Sequence, residues 1–186
     1  MGNAAAPHRR ACPDGNPGHP ARAHLQLGIW PDFTVLPDAE SPALLFEPIA
    51  AGESVRLGER TITALPANHS VPAVGYLLEN EHSGSLAFTG DTGACEELWD
   101  VLNQVRRLSY LIAETAFPDA HSRLVRAARH LTPSLLAEEL TALEAVPDIY
   151  VSHLKPGHVE TTSREVESLL HRHQPSLLRQ GHVFDV

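Results

Sequence analysis

The stretch Ser85–Gly93 reads SLAFTGDTG. Leu86–Phe88 is a short apolar run fit for a buried strand, and the segment after it is too rich in glycine to continue one. Asp91 therefore stands just past a strand end. The pattern returns downstream. Tyr110–Ala113 (YLIA) is followed by Glu114, and Ile149–Ser152 (IYVS) by His153. Upstream, the strand-like TITALPAN is followed by His69. In open α/β sheets ligands gather at the carboxyl ends of strands. Two histidines and an aspartate at one such edge suit a divalent metal, zinc first.

The segments between these strands are helical. Leu98, Trp99, Leu102 and Val105 are spaced for one helix face. Thr132 is a natural N-cap with Pro133 at the first helical position, and Leu135, Leu136, Leu140 and Leu143 form the apolar face that follows. Thr162 and Glu165 have capping-box spacing, which predicts a helix with Val166, Leu169 and Leu170 inward. Before the first site strand, Ser54–Leu57 and Thr61–Leu65 pair about Gly58, and Val74–Leu78 pairs with Leu86–Phe88 about Ser83-Gly84. His182–Val186 reads as a last strand. The second half is thus strand–helix repeated, an α/β layering.

Length and composition set bounds. The 186 residues suffice for one domain with a sizeable core, and 42% hydrophobic with 20% charged residues is ordinary for a globular protein. The net charge of −9 and the lack of a dense Lys/Arg run, the nearest being Arg123–Arg129, argue against a nucleic-acid partner. No apolar run reaches the length of a membrane span. The two cysteines, Cys12 and Cys95, suggest no disulfide framework and a reducing compartment. With no signal-peptide core in the first residues, the expected location is the cytoplasm. Residues 1–24, broken by Pro7, Pro13, Pro17 and Pro20, read as a disordered Pro/Gly-rich tail, and 25–186 as the folded domain.

Each candidate has a plainer reading. A histidine is more often a surface or hydrogen-bonded residue than a ligand. His8, His19, His24, His82, His121, His158, His171, His173 and His182 are assigned that way. Asp91 also suits a tight turn, Glu114 a solvated strand end, and His130 the entry loop of a helix.

The ordered set FTGDTG, ETAF, RHLTP and YVSHLKP, with IWPDF and ALPANHSVPAVGYLLE upstream, resembles the metallo-β-lactamase superfamily in its class II 3′,5′-cyclic-nucleotide phosphodiesterase branch. RHLTP with SHLKP favours that branch over tRNA 3′-end-processing relatives. The resemblance implies an α/β, metallo-β-lactamase (αβ/βα sandwich) fold, its carboxyl-terminal part only. It implies hydrolysis of a cyclic nucleotide, cAMP or cGMP, to the 5′-monophosphate at two Zn²⁺ ions, with Mn²⁺ as second choice. His69, Asp91 and His153 take the places of metal ligands, Asp91 bridging. His130 takes that of the proton donor to the leaving oxygen, with Glu114 orienting it.

The superfamily's HxHxDH motif does not occur in the sequence. The expectation is an amino-terminally truncated enzyme with weak metal binding and little or no activity of this chain alone, and with an exposed sheet edge open to pairing, a homodimer included. A relative acting on tRNA 3′ ends or another ester, and a non-catalytic remnant, are the alternatives.

Overall fold

In the computed structural model of the chain, residues 31–186 are described. The expected boundary between tail and domain near residue 25, and His8, His19 and His24, lie outside them. The described residues fall into two compact units, 31–50 and 51–186. The smaller has no helix or strand and is held by local turns. Asp32 Oδ1 accepts from the Thr34 N–H at 3.0 Å, Asp38 Oδ1 from the Ser41 N–H at 2.8 Å, and the Ala43 N–H reaches the Leu36 carbonyl at 2.7 Å.

The larger unit is a seven-stranded mixed sheet with helices. Its strands are β1 Ser54–Leu57, β2 Arg60–Pro66, β3 Val74–Asn80, β4 Ser85–Phe88, β5 Leu108–Glu114, β6 Asp148–Ser152 and β7 Ser176–Leu177. Their order across the sheet is their order in sequence. β1 to β4 pair antiparallel by short turns. β4 to β7 pair parallel, and each parallel step needs a crossover. The crossovers carry α1 Glu96–Leu102, then α2 Ser122–Ala128 and α3 Pro133–Glu139, then α4 Val159–Leu169. As a result β2, β4, β5 and β6 all run in one direction, and their carboxyl ends share one edge of the sheet.

Strand side chains alternate between faces. Leu65, Leu77, Ala87, Leu111, Ala113, Ile149 and Val151 form the core layer of the sheet, in one cluster with Leu98, Trp99 and Leu102 of α1, Leu135 and Leu136 of α3, and Val166 of α4. Each fully buried leucine contributes about 1.5–3 kcal/mol of transfer free energy. On the other face, the rings of Tyr110 and Tyr150 meet Phe184, tilted and edge-on, at centroid distances of 5.1 and 4.9 Å. Glu139 joins two helices: its Oε2 accepts from the Trp99 indole at 2.7 Å and from the Cys95 N–H at 3.0 Å, at the amino end of α1.

Most predicted elements are present, and four points differ. The last strand is Ser176–Leu177; His182 meets Tyr150 edge-on instead of pairing in the sheet. α4 begins at Val159, with Thr162 and Ser163 inside it. Their hydroxyls donate back to the His158 and Val159 carbonyls at 2.9 and 2.6 Å, so the pair Thr162 and Glu165 is no capping box. Leu169 is exposed, whereas Val166 and Leu170 are buried. α2 was not foreseen. The Thr132 cap is present and accepts from the Leu135 N–H at 3.4 Å.

Candidate metal centre

The fold delivers His69, Asp91, Glu114 and His153 to the common edge, from the carboxyl ends of β2, β4, β5 and β6. Two glycines let the β4 end come close to β3. A Cβ on Gly75 would lie 2.5 Å from the Phe88 carbonyl oxygen, and Gly90, at φ +63°, has the Val74 carbonyl where its Cβ would be. The Asp91 loop is tied to the His69 loop: the Asn68 N–H donates to Thr92 Oγ1 at 2.9 Å, and the Gly93 N–H to the Asn68 carbonyl at 2.9 Å.

His130 arrives from the α2–α3 connection. The Ala116 N–H donates to the Leu131 carbonyl at 3.0 Å, and the His130 N–H to the Val125 carbonyl at 2.9 Å. Glu114 completes the attachment. It is 1% exposed, so the solvated strand end is excluded. Its Oε1 accepts from His130 Nδ1 at 2.6 Å and from the Thr92 N–H at 3.0 Å, and its Oε2 from the Leu131 N–H at 3.4 Å.

These contacts fix tautomers. An ionised carboxylate or a carbonyl only accepts, so a ring nitrogen bonded to one carries the proton. His130 therefore donates from Nδ1 to Glu114, which leaves Nε2 outside that bond. His69 is in the same position, with Nδ1 3.2 Å from the Arg129 carbonyl, while the Arg129 guanidinium returns a bond to the His69 carbonyl at 3.0 Å. The two rings lie 4.7 Å apart. Histidines that ligate metals are held by an oxygen acceptor at the other ring nitrogen in this way.

The ligand atoms of His69, Asp91 and His130 lie within 4.8 Å of one another, and so do those of Glu114, His130 and His153. The trio expected as ligands, His69, Asp91 and His153, is not a third such group among the described residues. His130, expected as a proton donor, belongs to both groups. His153 Nδ1 is 3.2 Å from Asp91 Oδ1 and 3.8 Å from Glu114 Oε2, yet this buried nitrogen has no aligned hydrogen bond. Its Nε2 is 2.6 Å from the Lys155 ammonium. Arg129 and His153 have left-handed backbones, φ 57° and 67°, strained for side chains of this size. Lys155 and Thr92 escaped the sequence reading as site residues, although both lie inside the strings YVSHLKP and FTGDTG.

The first trio fits a divalent cation on its donor chemistry: two imidazole nitrogens with their tautomers set, and one carboxylate. A family described as beta-lactamase superfamily domain matches residues 18–159. The chain belongs to that family. Among solved structures, this superfamily member is similar to the metallo-beta-lactamase fold protein YhfI from Bacillus subtilis, at 16% identity and TM-score 0.61 over 74% of this chain and 54% of that one. It is similar to the short form of human tRNase Z at 14% identity and TM-score 0.53, over 70% and 45%. An isothiocyanate hydrolase from Delia radicum gut bacteria matches at 16% and 0.52, over 70% and 55%. These likenesses establish the metallo-β-lactamase fold. The chain spans about half the length of each of these three structures. No curated protein matches it. Among the described residues, no helix is long and apolar enough to cross a membrane.

Proposed function

We propose that the chain is a metal-dependent phosphodiesterase acting on 3′,5′-cyclic nucleotides, with the cation held by His69, Asp91 and His130. The carrying observation is the convergence of these three side chains, with both imidazoles tied through Nδ1 to an oxygen. The substrate class rests on the resemblance of RHLTP and SHLKP to the cyclic-nucleotide branch. When bound, a divalent ion, zinc first and manganese second, neutralises phosphoryl charge and makes water a nucleophile at neutral pH.

The chain's own residues set the geometry. Glu114 keeps the His130 proton at Nδ1, so that Nε2 faces the site. The Arg129 carbonyl does the same for His69. Asp91, 44% exposed, is open to solvent and to a ligand. In the net reaction the water oxygen bonds to phosphorus, the P–O3′ bond breaks and O3′ takes up a proton, leaving a nucleoside 5′-monophosphate. The proposal differs from the roles that the resemblance implies. It places His130 on the cation and leaves His153 beside Lys155, because His130 is the imidazole within reach of both His69 and Asp91.

The test is incubation of the 186-residue chain with cAMP and with cGMP, with zinc or manganese, before and after a chelator. The product is followed by chromatography. Chelator-sensitive release of 5′-AMP or 5′-GMP is expected. Cleavage of a model phosphodiester or of pre-tRNA without turnover of either cyclic nucleotide would replace the substrate class. A chain that binds metal and cleaves none of them is a non-catalytic relative.

A further inference from the structure

We propose that Arg129 receives the phosphoryl group of the substrate, its guanidinium hydrogen-bonding the two non-bridging oxygens from beside His69. The inference deepens the metal-dependent reading above and rests on it. Arg129 and His69 are joined twice. The Arg129 carbonyl lies 3.2 Å from His69 Nδ1, and Arg129 Nη1 donates to the His69 carbonyl at 3.0 Å. The second bond holds the guanidinium at the edge where His69, Asp91 and His130 converge.

The backbone at Arg129 is costly. It closes α2 in the left-handed region, at φ 57° and ψ 56°. Glycine is the usual residue at such a helix end, because it has no Cβ to strain. The neighbouring loop gives way to Arg129 as well: a Cβ on Gly93 would lie 3.3 Å from Arg129 Cα. Arg129 is therefore packed against the loop that carries Asp91 and bonded to the one that carries His69. The carbonyl that orients His69 is backbone, and glycine would supply it without the strain. What needs explaining is the side chain, and backbone strain of this kind gathers where a side chain has work to do.

That side chain is exposed, and it spends one N–H of its five on the His69 carbonyl. Among the described residues no carboxylate pairs with it, in a chain of net charge −9. A phosphodiester spreads one negative charge over two oxygens. The planar fork of a guanidinium meets both at once and keeps its charge at any pH where the protein is folded. As the water oxygen bonds to phosphorus, charge grows on those same oxygens, and a donor fixed beforehand stabilises it.

The experiment titrates inorganic phosphate into the purified chain, loaded with zinc or manganese and cleared of excess ion, by calorimetry. Metal content is measured on the same samples. Arg129→Gly removes the guanidinium, relieves the strain and keeps the carbonyl. It is expected to hold the wild-type metal content and to bind phosphate roughly tenfold or more weakly. Arg129→Lys should recover part of that loss. Circular dichroism checks folding, and Arg129→Asn, also suited to a left-handed backbone, replaces the glycine variant if that one is unfolded. Wild-type phosphate affinity in the variant, or a wild type that binds metal and no phosphate, would overturn the inference and leave the metal reading standing. So would loss of the metal in the variant, which would make Arg129 a support of His69 alone. A wild type that takes up no metal would overturn the metal reading, and this inference with it.

Discussion

A carboxylate as buried as Glu114 survives only with partners, and its three hydrogen bonds make it the fixed point of the site. Glu114→Gln keeps the shape but weakens acceptance at His130 Nδ1. Cation affinity is expected to fall about 10–100-fold, read by competition with a metal-sensitive dye. His130→Ala should strip the cation from the centre. Metal analysis decides the matter: unchanged content with slowed turnover would return His130 to the proton-donor role. The sequence marked His69, Asp91, Glu114, His130 and His153 because each follows a strand end or sits in a distinctive string. It could not say which trio closes, since that depends on which ring nitrogen is already bonded.

Among the elements, α3 is the best secured. Thr132 caps it, and Asp119 reaches it from the preceding 3-10 turn, with Oδ1 accepting from the Ser134 N–H at 3.0 Å and Oδ2 from the Ser134 hydroxyl at 2.5 Å. Burial alone would raise the Asp119 carboxyl, but hydrogen bonds from Ser134 and Thr132 outweigh it and hold it below its ordinary value. A carboxyl lowered on folding stabilises fully above its unfolded value, near pH ~4, and that stabilisation is lost as pH falls through the folded value. Urea denaturation from pH 7 to pH 3 should therefore show a steeper acid loss in the wild type than in Asp119→Asn. Equal slopes would deny Asp119 this part. Thr132→Ala should cost about 1 kcal/mol in the same assay. α2 was invisible in the sequence because Val125 is its sole buried side chain, too little to set a period. The two-residue β7 is too short to alternate.

For the whole molecule, the switch from antiparallel to parallel pairing was legible, because short turns give way to helix-length intervals after Phe88. What could not be read was the place of the last residues, where tilted and edge-on ring contacts with Tyr110 and Tyr150 replace strand pairing. The helix-covered side of the sheet carries most of the core. Leu136→Ala, at a fully buried position, should cost about 2–5 kcal/mol in equilibrium unfolding. A loss within 0.5 kcal/mol would show that α3 does not share the core. A cation bound only by the folded chain should raise the melting temperature with its concentration. His69→Ala should remove most of that rise.

The sheet keeps its strands in chain order from β1 to β7, and this has a bearing on biosynthesis. Among the described residues no strand has to be inserted between two partners already joined. Each strand leaving the ribosome finds its neighbour waiting, so the sheet can grow outward from β1 by successive addition, and the edge bearing His69, Asp91, Glu114 and His153 is completed in that order. β7 pairs with β6 alone among the described strands, so its late docking leaves the pairings from β1 to β6 untouched.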